Sequence, residues 1–195
     1  VLSGAEEAEL AYAGAAPAGK CLVVDIGGGS TELLSGAGGR VLASLSVPMG
    51  AVRLTEALPG AIDHQTLTSA ARAALLPAGE AVRPFPAGRA VGVGGTITSL
   101  AELCLALSPY DPEKVQDYPL TSDAARAWLV RLCEMPLEER RRLPGLNPER
   151  ADIIPAGAAI LAAFFDLTGV KTLFVSDRDN LAGYIRRIMI PSENR

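Results

Sequence analysis

The stretch Asp25-Ile26-Gly27-Gly28-Gly29-Ser30-Thr31-Glu32 decides how this 195-residue chain is read. The apolar run Cys21 to Ile26 precedes it, so a carboxylate sits at the C-terminal end of a buried strand, followed by three glycines and two hydroxyls. Without side chains, Gly27, Gly28 and Gly29 let the backbone approach an anion and turn successive N–H groups towards it, and Ser30 and Thr31 add hydroxyl donors. Asp25 cannot hold a phosphate, since like charges repel. Its chemistry is that of a Mg²⁺ ligand, or of a group that positions an attacking water. The bland reading is a glycine-rich hairpin with a capping Asp; the flanking Asp and Ser-Thr-Glu narrow it towards phosphate chemistry.

Working outward, Glu32 to Leu34 and Val41 to Val47 read as two further strands, with Ser35 to Gly39 as the turn between them, giving an antiparallel meander. Asp63 caps a helix expected to run to about Leu76. Arg89 to Val93 is a short strand that runs into Gly94-Gly95-Thr96, and Ile97 to Leu107 is a helix. This second glycine turn puts backbone N–H groups at a helix N-terminus, an arrangement suited to an anion. Ser122 caps a helix through Cys133. Pro136 opens another, with Glu138 and Glu139 early and Arg140, Arg141 and Arg142 late. Ala151 to Thr168 reads as a long apolar helix closed by Gly169, Lys171 to Val175 as the last core strand, and the rest as a helix to about Ile188. Near the start, residues 5–14 form a short helix, in which Glu6 and Glu7 are ordinary dipole compensation on spacing alone. The alternation of strand and helix in the second half implies parallel strands. The expected fold is therefore α/β: a mixed sheet with a three-strand meander, parallel strands at Arg89 and Lys171, and helices on both faces.

Composition bounds the function. Hydrophobic residues make up 49% and charged residues 21%, enough for a core; aromatics are only 5%, so that core is aliphatic. The net charge of −4 argues against nucleic acid as a partner, and any phosphate must be held locally. The 3 cysteines, Cys21, Cys104 and Cys133, lie among apolar residues at wide spacing and suit free thiols in a reducing cytoplasm. One histidine, His64, and no CxxC leave no zinc pattern. The longest apolar run, Ile153 to Phe165, falls short of the ~20 residues needed to span a bilayer. No signal peptide is visible. The abrupt start at Val1-Leu2-Ser3-Gly4 reads as a cut within a longer chain.

These segments resemble the Ppx/GppA phosphatases, members of the actin-like fold group. Asp25 to Glu32 matches that family's DIGGGSTE signature in full. Val1 to Ala8, with Ser3-Gly4-Ala5-Glu6-Glu7-Ala8, Val47 to Glu56, with Met49-Gly50-Ala51-Val52-Arg53-Leu54-Thr55-Glu56, Val93 to Leu100, with Gly94-Gly95-Thr96, and Arg150 to Leu161 resemble four others, in the family's order. The resemblance implies two actin-like domains facing across a cleft, with this chain as the second, a single domain over 1–195. It implies Glu7 as the base that activates water and Glu32 as a second acidic residue. It also implies Asp25, Gly27, Gly28, Gly29 and Ser30 as the loop that binds phosphate and Mg²⁺. The implied reaction is hydrolysis of the terminal phosphoanhydride of polyphosphate or guanosine pentaphosphate.

Three departures accompany it. No Asp-x-Gly-Ser-Asn-Ser loop of the family's first domain is present, so half the cleft is expected to be missing and the chain alone inactive; the exposed face is then a candidate for homodimer formation. Glu9 stands where the family has Arg. Ser176-Asp177-Arg178-Asp179-Asn180-Leu181-Ala182-Gly183 replaces the family's Ser-x-x-Gly-Leu-Arg-Glu-Gly, altering Asp179 to Ala182. Two other readings follow from these residues: a catalytically weak binder of (p)ppGpp or polyphosphate, and half of an actin-like ATPase or sugar kinase.

Overall fold

A computed structural model describes residues 19–38, 40–60, 63–82 and 88–177. Six strands form one mixed sheet in the order β3-β2-β1-β4-β6-β5. β1 (Lys20–Ile26), β2 (Thr31–Ala37) and β3 (Arg40–Val47) are the antiparallel meander. β4 (Arg89–Val93) pairs parallel with β1, and β6 (Thr172–Val175) pairs parallel with β4. The edge strand β5 (Pro119–Thr121) lies antiparallel to β6. β1 is an interior strand paired on both edges, and all but Lys20 and Asp25 of it is buried, as its continuous apolar run requires.

The first expected turn begins too early. β2 continues through Ser35 and Gly36 to Ala37, with a bulge at Ser35/Gly36 absorbing the irregularity, and the chain reverses at Gly38, whose φ of +57° suits glycine. Seven helices accompany the sheet among the described residues: α1 (Ala51–Ala57), α2 (His64–Val82), α3 (Gly95–Leu105), α4 (Pro112–Val115), α5 (Ser122–Glu134), α6 (Leu137–Arg140) and α7 (Ile154–Thr168). α2 runs past Leu76 with Pro77 inside it; Leu67, Ala71, Leu75 and Ala78 are buried along one stripe, and that packing outweighs the hydrogen bond lost at the proline. The cap of α5 is Thr121, whose hydroxyl accepts from the Ala124 N–H, rather than Ser122. α7 begins at Ile154, three residues later than expected, because Pro148–Arg150 forms a separate 3₁₀ turn; Gly169 closes it in the left-handed region at φ +74°.

The described helices build one large apolar cluster on the face of Leu22, Val24, Ile26, Leu33 and Leu173. At its centre is α7, of which all but Asp166 and Thr168 is buried. A helix apolar all round is stable only when enclosed, and α7 touches α1, α2, α3 and α5. The opposite face carries a smaller buried set, Cys21, Val23, Leu34, Val91 and Val93. The helices expected at residues 5–14 and after Val175 lie outside the described residues, so that face is represented by its sheet side chains alone.

Candidate active site

The glycine turn after β1 is closed from within and docked on α1. Gly27 N–H donates to the Ser30 carbonyl at 3.0 Å, which closes the turn. The carbonyls of Gly27 and Gly28 then point into the start of α1: Ala51 N–H donates to Gly27 O at 2.9 Å, and Val52 and Arg53 donate to Gly28 O at 2.9 and 3.1 Å. Helix N-terminal donors, which otherwise lack partners, are thus satisfied by the loop. The Gly28 and Gly29 N–H groups have no partner among the described residues. Gly50 makes this docking possible, since a Cβ there would fall 2.5 Å from Gly28 C and O and 2.6 Å from Gly27 O. Thr31 is fully buried, and its hydroxyl donates to the Met49 carbonyl at 2.6 Å. It therefore fastens the loop to the segment before α1 and is not offered to a ligand, against the expectation that it adds a phosphate donor.

The second glycine turn follows β4. Gly94 has φ +90°, and a Cβ on it would sit 2.4 Å from Asp25 Oδ1. Conformation and space both demand glycine here. Gly94 O accepts from Ile97 and Thr98, each at 3.1 Å, starting α3. Thr96 is buried and rests on α7, where a Cβ on Gly157 would come within 2.6 Å of its methyl.

Between the two turns is a hollow of about 390 Å³, with Gly27, Gly28, Gly95, Thr96, Asn147 and Arg150 in its wall. Arg150 was not singled out from the sequence as a site residue. Its guanidinium lies directly over Gly95: a Cβ there would overlap Nη1 at 1.9 Å. The turn Pro148–Arg150 carries it, capped by Asn147, whose Oδ1 accepts from Glu149 N–H at 3.0 Å. A guanidinium is permanently charged and its planar fork matches phosphate oxygens. The hollow thus combines a permanent cation with residues of both glycine turns in its wall.

The acidic residues form a second group. Asp25 and Glu32 are cross-strand partners on β1 and β2. Strand alternation sends them to the face opposite Val24 and Ile26, and neither is in the wall of the hollow. Burial, then the charge of Glu32, pushes the Asp25 carboxyl up to about 6. Ser46 Oγ donates to Glu32 Oε1 at 3.0 Å.

Residues 1–180 match the Ppx/GppA phosphatase family. The chain belongs to that family. It is 34% identical over 201 residues to exopolyphosphatase 2 of Mycobacterium tuberculosis, an alignment covering 94% of this chain and 61% of that protein. Among solved structures, the Ppx/GppA family member of Aquifex aeolicus superposes with a TM-score of 0.85 at 33% identity, over 97% of this chain and 63% of that one. An exopolyphosphatase of Cytophaga hutchinsonii shares the fold with a TM-score of 0.81 at 24% identity. The chain therefore spans about three fifths of the length of these relatives.

Within this Ppx/GppA chain, the structure brings Gly27, Gly28, Gly95 and Thr96 together around one hollow and places Asp25 and Glu32 side by side. Gly29 is exposed and Ser30 half-buried at the tip of the first turn. Glu7 and the altered stretch Asp179 to Ala182 lie outside the described residues. No group of three metal-ligating side chains occurs among the described residues. The paired carboxylates of Asp25 and Glu32 are nevertheless hard oxygen donors, which suit Mg²⁺, an ion held by one or two carboxylates with water and substrate phosphates completing its shell. No helix among the described residues is long and apolar enough to cross a membrane.

Proposed function

We propose that this chain forms one wall of the cleft of a phosphoanhydride hydrolase, which releases the terminal phosphate of polyphosphate or guanosine pentaphosphate by attack of water. The observation that carries the reading is the convergence of both glycine turns on the Arg150 guanidinium in one hollow. There, the Gly28 N–H group and Arg150 hold phosphoryl oxygens, and the charge developing during transfer meets donors already in place. Glu7 deprotonates the water and Glu32 is the second acid of the site, worth roughly 10²–10⁴ in rate for a positioned base. Asp25 with Glu32 would hold Mg²⁺, which supplies charge neutralisation at the phosphate. A second actin-like domain closes the opposite side. The unpaired thiols of Cys21, Cys104 and Cys133 support a cytoplasmic setting.

The test is Mg²⁺-dependent phosphate release by the complete protein from polyphosphate, guanosine pentaphosphate and ATP in parallel, beside Glu7→Gln. Release from one substrate, lost in Glu7→Gln, is expected. Binding without release from any of the three would overturn hydrolysis in favour of a polyphosphate or (p)ppGpp sensor; release from ATP alone would favour an actin-like ATPase.

A further inference from the structure

Glu32 has a partner on each side. β2 runs between β1 and β3, and the register sets Glu32 opposite Asp25 on one strand and opposite Ser46 on the other. The three side chains form a row across one face, at the end of the sheet where the first glycine turn begins. Directly opposed side chains in such a ladder have Cβ atoms about 4.5–5.5 Å apart. Ser46 uses that proximity: its Oγ donates to Glu32 Oε1 at 3.0 Å. The hydroxyl donates and the carboxylate oxygen accepts, and among the described residues the Glu32 side chain makes no other hydrogen bond.

The bond does little for the fold. Ser46 is exposed on the edge strand β3, where burial contributes nothing, and strand propensity favours Thr or Val over Ser at an exposed position. What the hydroxyl does is restrict a side chain with three rotatable torsions that stands next to another carboxylate. A free Glu32 would swing away from Asp25, since like charges repel.

We propose that Ser46 is a positioning residue, holding Glu32 by Oε1 so that its other oxygen is presented at the reacting centre. This rests on the reading of Glu32 as part of the chemistry, and the experiment separates the two. Steady-state kinetics of the complete protein with Mg²⁺ and polyphosphate, or whichever substrate it turns over, are measured for Ser46→Ala, Ser46→Thr, Glu32→Gln and the Ser46→Ala/Glu32→Gln double variant. Losing one solvent-exposed hydrogen bond, at the ordinary net worth of such a bond, corresponds to a roughly two- to tenfold fall in kcat. Ser46→Ala should show that fall with KM and Tm unchanged, and Ser46→Thr, which keeps a hydroxyl on the same carbon, should restore most of it. On the Glu32→Gln background Ser46→Ala should have no further effect. Wild-type rates in Ser46→Ala alongside an impaired Glu32→Gln would overturn the positioning role, as would an equal loss from Ser46→Ala on both backgrounds. Wild-type rates in Glu32→Gln would instead remove Glu32 from the chemistry, and the proposal with it.

Discussion

Replacing Asp25 with Asn should make the protein more stable while removing its Mg²⁺-supported activity. Asp25 is held half-buried beside Gly94 and faces Glu32 across the strand pair, and its carboxyl is pushed up from 3.8 to about 6, first by burial and then by the Glu32 charge. The folded state therefore holds the proton more tightly than the unfolded chain does. Below about pH 4 both states are protonated and nothing is lost. As pH rises towards 6 the unfolded chain releases its proton first, so stability falls; above 6 the loss is complete. The difference between 3.8 and about 6 corresponds to roughly 3 kcal/mol. Asn has nearly the shape of Asp and carries no charge. Urea unfolding in EDTA should therefore show Asp25→Asn more stable than wild type by roughly 2–3 kcal/mol at pH 7.5, with the advantage shrinking towards zero at pH 4. An Asp25→Asn protein no more stable than wild type at pH 7.5, or one with the same advantage at both pH values, would refute the reasoning. The instability belongs to the site, of the kind that function imposes at the expense of the fold.

Two glycine substitutions should separate binding from folding. In Gly95→Ala the new Cβ meets the end of a flexible side chain, Arg150 Nη1 at 1.9 Å, so the guanidinium is displaced while the backbone stays. Substrate affinity, read as KM or by calorimetric titration, should fall about tenfold or more, with Tm within a few degrees of wild type. In Gly50→Ala the new Cβ meets backbone, Gly28 C and O at 2.5 Å, which cannot yield without undocking α1 from the first turn. That variant should lose roughly 2–4 kcal/mol in urea unfolding.

Much of the architecture could be read from residues alone because its signals are local. The apolar run into Gly27-Gly28-Gly29, the strand into Gly94-Gly95 and the stop at Gly169 each depend on neighbours within a few positions. β5 escaped notice because Pro119-Leu120-Thr121 has no period to detect; it exists through its pairing with β6. α1 carries little amphipathic signal, with Ala51 and Leu54 its buried residues, and it is fixed by donating to Gly27 and Gly28. Arg150 was missed as a site residue for the same reason. Its place depends on a missing Cβ at Gly95, and no spacing rule links the two positions. Thr31 shows the converse: a hydroxyl in the right motif, assigned to the ligand by its type, is turned inward to Met49.

The enclosure of α7 bears on the width of the hollow itself. On its face towards the second turn, Thr96 settles against Gly157, where any side chain would lift it. The same helix supports α1, which grips the first turn. The two turns leave the neighbouring strands β1 and β4, and α7 backs both of them from below. One methyl group added at Gly157 would push on Thr96 and shift the second turn relative to the first without changing the glycines of either turn. Substrate fit can therefore be tuned from beneath, through the volume at position 157, which is not in the wall of the hollow.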